Sequence, residues 1–225
     1  MKYIVGNWKS QKTIADGLVW LEKFSSLYRP ADGVKVVLAP TFLSITKLTG
    51  SVEEKKLKNF FFAVQDLSPF PRGNYTGAVA ADLVKEVAQY AIVGHTERRR
   101  YFHETIQDTL NKATEAEAAG VIPLVCVEEA AQLLQLSSLA DLDGDVLLAY
   151  TPRDPAVSGI AEPIAKVKEM VTRMRRSLPR AAILYGGAVT KDNCGEYLAI
   201  EGVAGLFVGR ASLDATTFAA ICNNI

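Results

Sequence analysis

Lys9, His95 and Glu97 combine residue types and positions that can do chemistry. Lys9 closes the apolar run KYIVGNWK, and His95 and Glu97 end the run YAIVGHTE. A lysine at the end of an apolar strand is costly to desolvate unless it faces a cleft or an anionic partner; otherwise it is simply an exposed strand end. A histidine opening a helix is kept neutral by the helix dipole and can donate a hydrogen bond to a carbonyl oxygen, although an isolated histidine also serves as plain structure. Two later runs end in glycine, at Gly186-Gly187-Ala188 and Gly209-Arg210. Glycines there let backbone N–H groups approach a phosphate. Read together, these residues describe a site for a small phosphorylated ligand with a carbonyl to polarise. Read separately, the glycines are tight turns, and Glu97 with Arg98, Arg99 and Arg100 is a salt-linked helix surface.

Positioning such residues requires elements that converge. Short, continuously apolar runs recur at 2–8, 35–40, 60–65, 90–95, 121–127, 146–151, 181–187 and 204–209, in the manner of strands covered on both faces. Between them, GLVWLEKFSSLYR, AADLVKEVAQYA and PIAKVKEMVTRMRRSL carry apolar residues at helical spacing. Eight alternations predict an α/β fold, a closed (β/α)8 barrel forming a single domain over 1–225, and an open doubly wound sheet fits the same pattern. In a barrel, the strand ends named above share one mouth. EEAAQLLQLSSLADLDGD leaves room for one modest helix, so the fifth helical region is short. LSPFPRGNYTGAV predicts a long loop used for function or contacts.

Lys plus Arg equal Asp plus Glu at 25 each, which argues against nucleic acid or an anionic membrane as partner. Cys126, Cys194 and Cys222 are odd in number and widely spaced, as expected of reduced thiols in a cytoplasmic protein. No stretch has the pattern of a signal peptide or a membrane span, so a soluble, unprocessed protein is expected.

GNWK (6–9), GNYTG (73–77), GHTERR (94–99), YGGAV (185–189) and VGRASL (208–213) resemble the motifs of the triosephosphate isomerase family, in its order and spacing. The resemblance implies the (β/α)8 fold, a homodimer in which Tyr75, Thr76 and Gly77 reach the partner's site, and interconversion of dihydroxyacetone phosphate and glyceraldehyde 3-phosphate with neither metal nor cofactor. It implies that Asn7 and Lys9 bind substrate, that His95 is the neutral electrophile, and that Glu97 organises Lys9 and His95. Phosphate is expected on backbone groups of Gly187, Ala188, Gly209 and Arg210, and on the loop tip at Ser158 and Gly159.

The chain departs from that pattern at the sixth strand. Where the family has Tyr-Glu-Pro, this sequence has Tyr150-Thr151-Pro152, so Thr151 occupies the position of the catalytic glutamate. A threonine hydroxyl is not acidic near neutrality and cannot take a carbon-bound proton as a carboxylate does. Val157-Ser158-Gly159 keeps one glycine of the usual Gly-Thr-Gly, Ala188 stands where a serine is usual, and Glu128 fills a spot usually held by glycine. Either another carboxylate supplies the base, with Asp154 and then Glu97 as candidates, or the barrel binds triose phosphates or a protein partner without turning anything over. A parent sequence with glutamate at 151 is the third explanation.

Overall fold

The computed structural model describes the backbone of residues 1–225 and the side chains of all but Asp154, Ala156 and Val157. The strands are β1 (Lys2–Asn7), β2 (Val34–Ala39), β3 (Phe60–Val64), β4 (Tyr90–Val93), β5 (Ile122–Val127), β6 (Leu147–Tyr150), β7 (Ala182–Tyr185) and β8 (Val203–Val208). Each pairs in parallel with the next, and β8 pairs with β1 to close the barrel. The closed (β/α)8 architecture stands, and the open sheet is excluded. The helices, in chain order, are α1 (Ile14–Leu27), α2 (Phe42–Lys55), α3 (Ala81–Val84), α4 (Thr96–Phe102), α5 (Ile106–Ala118), α6 (Ala131–Gln135), α7 (Arg153–Ser158), α8 (Ile164–Ser177), α9 (Cys194–Leu198) and α10 (Ala215–Asn223).

Strand side chains alternate between two cores. Tyr3, Val5, Ile92, Leu124, Cys126, Ala149, Leu184 and Phe207 form the barrel interior. Ile4, Val36, Val93, Val125, Leu148 and Ile183 instead pack outward among helix residues such as Leu21, Phe24 and Met174. The alternation also orders the mouth: two residues beyond Val5, Cys126 and Ala149 come Asn7, Glu128 and Thr151. Trp8 and Trp20 both donate their indole N–H to the Ser212 carbonyl at 3.1 Å, tying α1 to the chain after β8.

Two segments differ from expectation. AADLVKEVAQYA is helical only over α3, because Val87 and Ala88 turn back onto the Val84 carbonyl and Gln89 accepts from the Phe62 N–H to join β3. The segment after β6, where Pro152 and Pro155 frame a charged stretch with the look of a turn, contains α7. Pro155 fits there because a proline in the first helical turn removes no intrahelical bond. The short region between β5 and β6 holds α6 and a 3₁₀ turn over Ser137–Asp141. Next to it, a cavity of about 380 Å³ is lined by Glu128, Tyr150, Pro152 and Met170 among others. Cys126, Cys194 and Cys222 are unpaired and buried. No described helix is long and apolar enough to cross a membrane.

Barrel closure requires a bare backbone at Gly205, where a Cβ would lie 2.0 Å from the Tyr3 carbonyl oxygen across the β1–β8 seam. Gly50, inside α2, has open space around the same position. Gly205→Ala is therefore expected to lose about 1–3 kcal/mol or more in urea unfolding, whereas Gly50→Ala gains about 0.5–1 kcal/mol. Equal stability of Gly205→Ala and the parent chain would contradict this account of the seam.

Candidate active site

Asn7 ends β1 with its side chain buried, and its Oδ1 accepts the Lys9 backbone N–H at 3.0 Å. Lys9 is held in the left-handed region at φ 52°, which is strained for a residue with a Cβ. Gln65 Nε2 secures this bend by donating to the Lys9 carbonyl at 2.9 Å and to the Ala39 carbonyl at 3.0 Å. The bend sends the Lys9 ammonium across the mouth to Glu97 Oε1, 2.5 Å away. The anionic partner expected for Lys9 is therefore Glu97.

His95 is the N-cap of α4, and its Nδ1 accepts the Glu97 backbone N–H at 3.2 Å. That bond leaves the proton of the neutral ring on Nε2. Burial pushes the imidazole down to about 4; the Glu97 carboxylate opposes the shift, and the Lys9 and Arg99 charges add to it. The helix end was expected to keep the ring neutral, but burial is the larger cause. Glu97 Oε2 lies 3.7 Å from Nδ1 and is not its ion-pair partner, because that nitrogen carries no proton. The result is a cation, its counter-charge and a neutral N–H donor at one end of the barrel.

The turn presenting His95 rests on a buried ion network. Glu104 Oε1 accepts the Gly94 N–H at 2.9 Å, and its Oε2 receives Arg98 and Lys112 at 2.6 Å each. Asp66 completes the network with Lys112 at 2.6 Å and Arg98 at 2.8 Å. Arg99 also turns inward, to the carbonyls of Gly94 and Cys126 and to Glu128 at 3.3 Å. Thus Arg98 and Arg99 buttress the mouth, and only Arg100 has the exposed place expected of the basic run.

Across the mouth, Gly186 and Gly187 have no space for a side chain: a Cβ would meet the Phe207 carbonyl at 2.9 Å and the Tyr185 hydroxyl at 2.5 Å, respectively. Ala188 adopts φ 51°. The N–H groups of Gly187, Ala188 and Arg210 have no acceptor among the described residues, so they are available to an anion. Gly209 lies close to Lys9: a Cβ there would sit 3.9 Å from Lys9 Cε. Gly159 ends α7 in the left-handed region, where its Cβ would lie 3.6 Å from Arg210 Nη1, and Ser158 Oγ accepts the Ile160 N–H. The residues expected to hold phosphate and the end of the segment after β6 therefore converge on one rim.

The sequence of this chain matches the family model for triosephosphate isomerase over residues 2–225. The chain belongs to the triosephosphate isomerase family. It is 32% identical to the triosephosphate isomerase of Dehalococcoides mccartyi strain BAV1, with 97% of this chain and 94% of the relative aligned. Identity is 31% with that of Polynucleobacter asymbioticus, covering 97% of each, and 32% with that of Deinococcus radiodurans, covering 92% of each.

A neutral histidine is the established electrophile of triosephosphate isomerase, and His95 has the tautomer and burial for that task. Thr151 is buried at 6% exposure, and its hydroxyl has no hydrogen-bond partner among the described residues. The buried Cys126 thiol is a close neighbour of that hydroxyl but does not meet it in hydrogen-bond geometry. The side chain of Asp154, considered as a substitute base, lies outside the described residues. Glu97, the other candidate, is committed to Lys9. Tyr75, Thr76 and Gly77 stand exposed on the loop after β3, where Tyr75 stacks on Phe70 with ring centroids 4.6 Å apart. Gln65, Arg99, Glu104 and Lys112 were missed as supports; the signal available for Gln65 was a polar residue two beyond an inward-facing alanine.

Nitrogen-15 NMR of labelled protein is expected to show His95 as the Nε2–H tautomer from pH 8 down to pH 5, with charging only near 4. A midpoint near the ordinary value of about 6.5 would contradict the assignment.

Proposed function

We propose that this chain interconverts dihydroxyacetone phosphate and glyceraldehyde 3-phosphate by proton transfer through an enediolate, the whole chain acting as one barrel domain. The observation that carries this reading is the Lys9–Glu97 contact at 2.5 Å beside a histidine whose Nδ1 accepts the Glu97 N–H. The substrate phosphate rests on the N–H groups of Gly187, Ala188, Gly209 and Arg210, with Ser158 and Gly159 closing over it. Lys9 and Asn7 then face the oxygens of the triose, and His95 Nε2–H donates to the carbonyl oxygen as negative charge develops there. Preorganised donors of this kind typically contribute 10²-fold to 10³-fold each. The reaction moves hydrogen between adjacent carbons with no net redox change, so its chemistry requires no redox cofactor.

Thr151 leaves the end of β6 without a carboxylate. Removing a positioned general base typically costs 10²-fold to 10⁴-fold, so turnover is slower than with a carboxylate at this position. The exposed Phe70–Tyr75 stack supports a homodimer in which Thr76 and its neighbours meet the partner's site. Three reduced, buried thiols are compatible with a cytoplasmic location. A second reading, a barrel that binds triose phosphate without turnover, is favoured by the unpartnered Thr151 hydroxyl.

The test is the initial rate of glyceraldehyde 3-phosphate isomerisation, with calorimetric binding of a non-reacting phosphorylated diol. The chain is expected to turn over, and Lys9→Met to lose at least about 10²-fold. Binding without turnover supports the second reading, and neither binding nor turnover contradicts both.

A further inference from the structure

From the strand register, we infer that Glu128 is the general base of this site. The inference rests on the isomerase reading above. Cys126 pairs with Ala149 and Val127 with Tyr150 between β5 and β6, and the Thr151 N–H continues that ladder to the Val127 carbonyl at 2.8 Å. Continued by one residue past the ends of β5 and β6, this register sets Glu128 beside Thr151. Neighbouring strands lie about 4.8 Å apart, within the length of a glutamate side chain. Cys126 points into the barrel, so Glu128, two residues on, shares its side of the strand. The carboxylate absent after β6 is therefore present at the same level after the adjacent strand, β5.

Its surroundings suit a group that moves. The Glu128 backbone N–H donates to Gln132 Oε1 at 2.8 Å, which fixes the Cα. The only described partner of the carboxylate is Arg99 Nη2 at 3.3 Å, and that same nitrogen lies 3.4 Å from Thr96 Oγ1, beside His95. Arg99 does not depend on this contact, because it is also held by the Gly94 and Cys126 carbonyls. Glu97 is pinned to Lys9 at 2.5 Å, and Glu104 is enclosed in its ion network. Glu128 is thus the one described carboxylate at the mouth held by a single long contact. The pairing with Thr151 also has an electrostatic basis: a glutamate at 151 would face Glu128 directly across the ladder, and like charges there are unfavourable.

In the reaction, the Glu128 carboxylate takes the proton from carbon 1 of dihydroxyacetone phosphate. The C–H electron pair becomes the carbon 1–carbon 2 double bond, and the carbonyl π pair moves onto oxygen, where His95 Nε2–H stabilises it. His95 transfers the hydroxyl proton from oxygen 1 to oxygen 2. The Glu128 carboxylic acid returns its proton to carbon 2, leaving an aldehyde at carbon 1. Thr151, buried and unpartnered, offers its hydroxyl to the carboxylate in the turned position.

A mutant cycle at the two positions tests this, with isomerisation kinetics for the chain, Glu128→Gln, Glu128→Asp, Thr151→Glu and the double variant Glu128→Gln/Thr151→Glu. Glu128→Gln is expected to lower kcat about 10²-fold to 10⁴-fold with little change in KM, and Glu128→Asp to retain part of the rate. The double variant is expected to regain the rate and to exceed Thr151→Glu alone, because only the latter sets two carboxylates side by side. That recovery would also show that Glu128→Gln still folds. An inert parent chain, an unchanged kcat in Glu128→Gln, or a loss that Thr151→Glu fails to recover overturns the inference. If the double variant isomerises while Glu128→Gln matches the parent, only the base assignment fails; if no variant isomerises or binds the diol, the isomerase reading fails with it.

Discussion

The contact between the Lys9 ammonium and the Glu97 carboxylate, 2.5 Å long, joins the end of β1 to the start of α4 across the barrel mouth. Much of the site depends on it. Lys9 reaches Glu97 only because its backbone is bent to φ 52°, and Asn7 and Gln65 hold that bend. Glu97 in turn supplies the backbone N–H that fixes the His95 tautomer. Both side chains are partly exposed, so losing one would let the other turn to solvent and release the geometry built on the contact.

The His95 ring shows how burial and charge combine. Burial removes the water that would stabilise an imidazolium, and Lys9 and Arg99 oppose protonation further. The Glu97 carboxylate favours protonation but is already engaged with Lys9. The ring stays neutral and keeps a hydrogen to donate. The network of Asp66, Arg98, Glu104 and Lys112 then prevents the Gly94 turn from relaxing towards a better-solvated arrangement.

Much of this was legible in the sequence. All eight strands appeared as apolar runs because a parallel barrel covers both faces of each strand, and every expected run overlaps an observed one to within a residue or two at most ends. Lys9, His95 and Glu97 could be named because charged or titratable residues at the ends of such runs need a reason to be there. The α7 helix was hidden by Pro152 and Pro155, which read as breakers although the first turn of a helix tolerates proline. The extent of α3 was hidden because apolar spacing does not reveal where a chain must turn back to begin a strand. Glu128 was visible only as an odd residue after Cys126. Its relation to Thr151 is a matter of register between two strands, and no single segment contains that information.

The account holds that the electrophilic half of the site is intact whichever residue serves as base. The most direct test is the infrared carbonyl band of isotopically labelled dihydroxyacetone phosphate bound to the chain. A neutral His95 donating from Nε2 predicts a band displaced to lower frequency than in solution, with the displacement lost in His95→Gln. A bound carbonyl absorbing at its solution frequency in the unaltered chain would contradict the account.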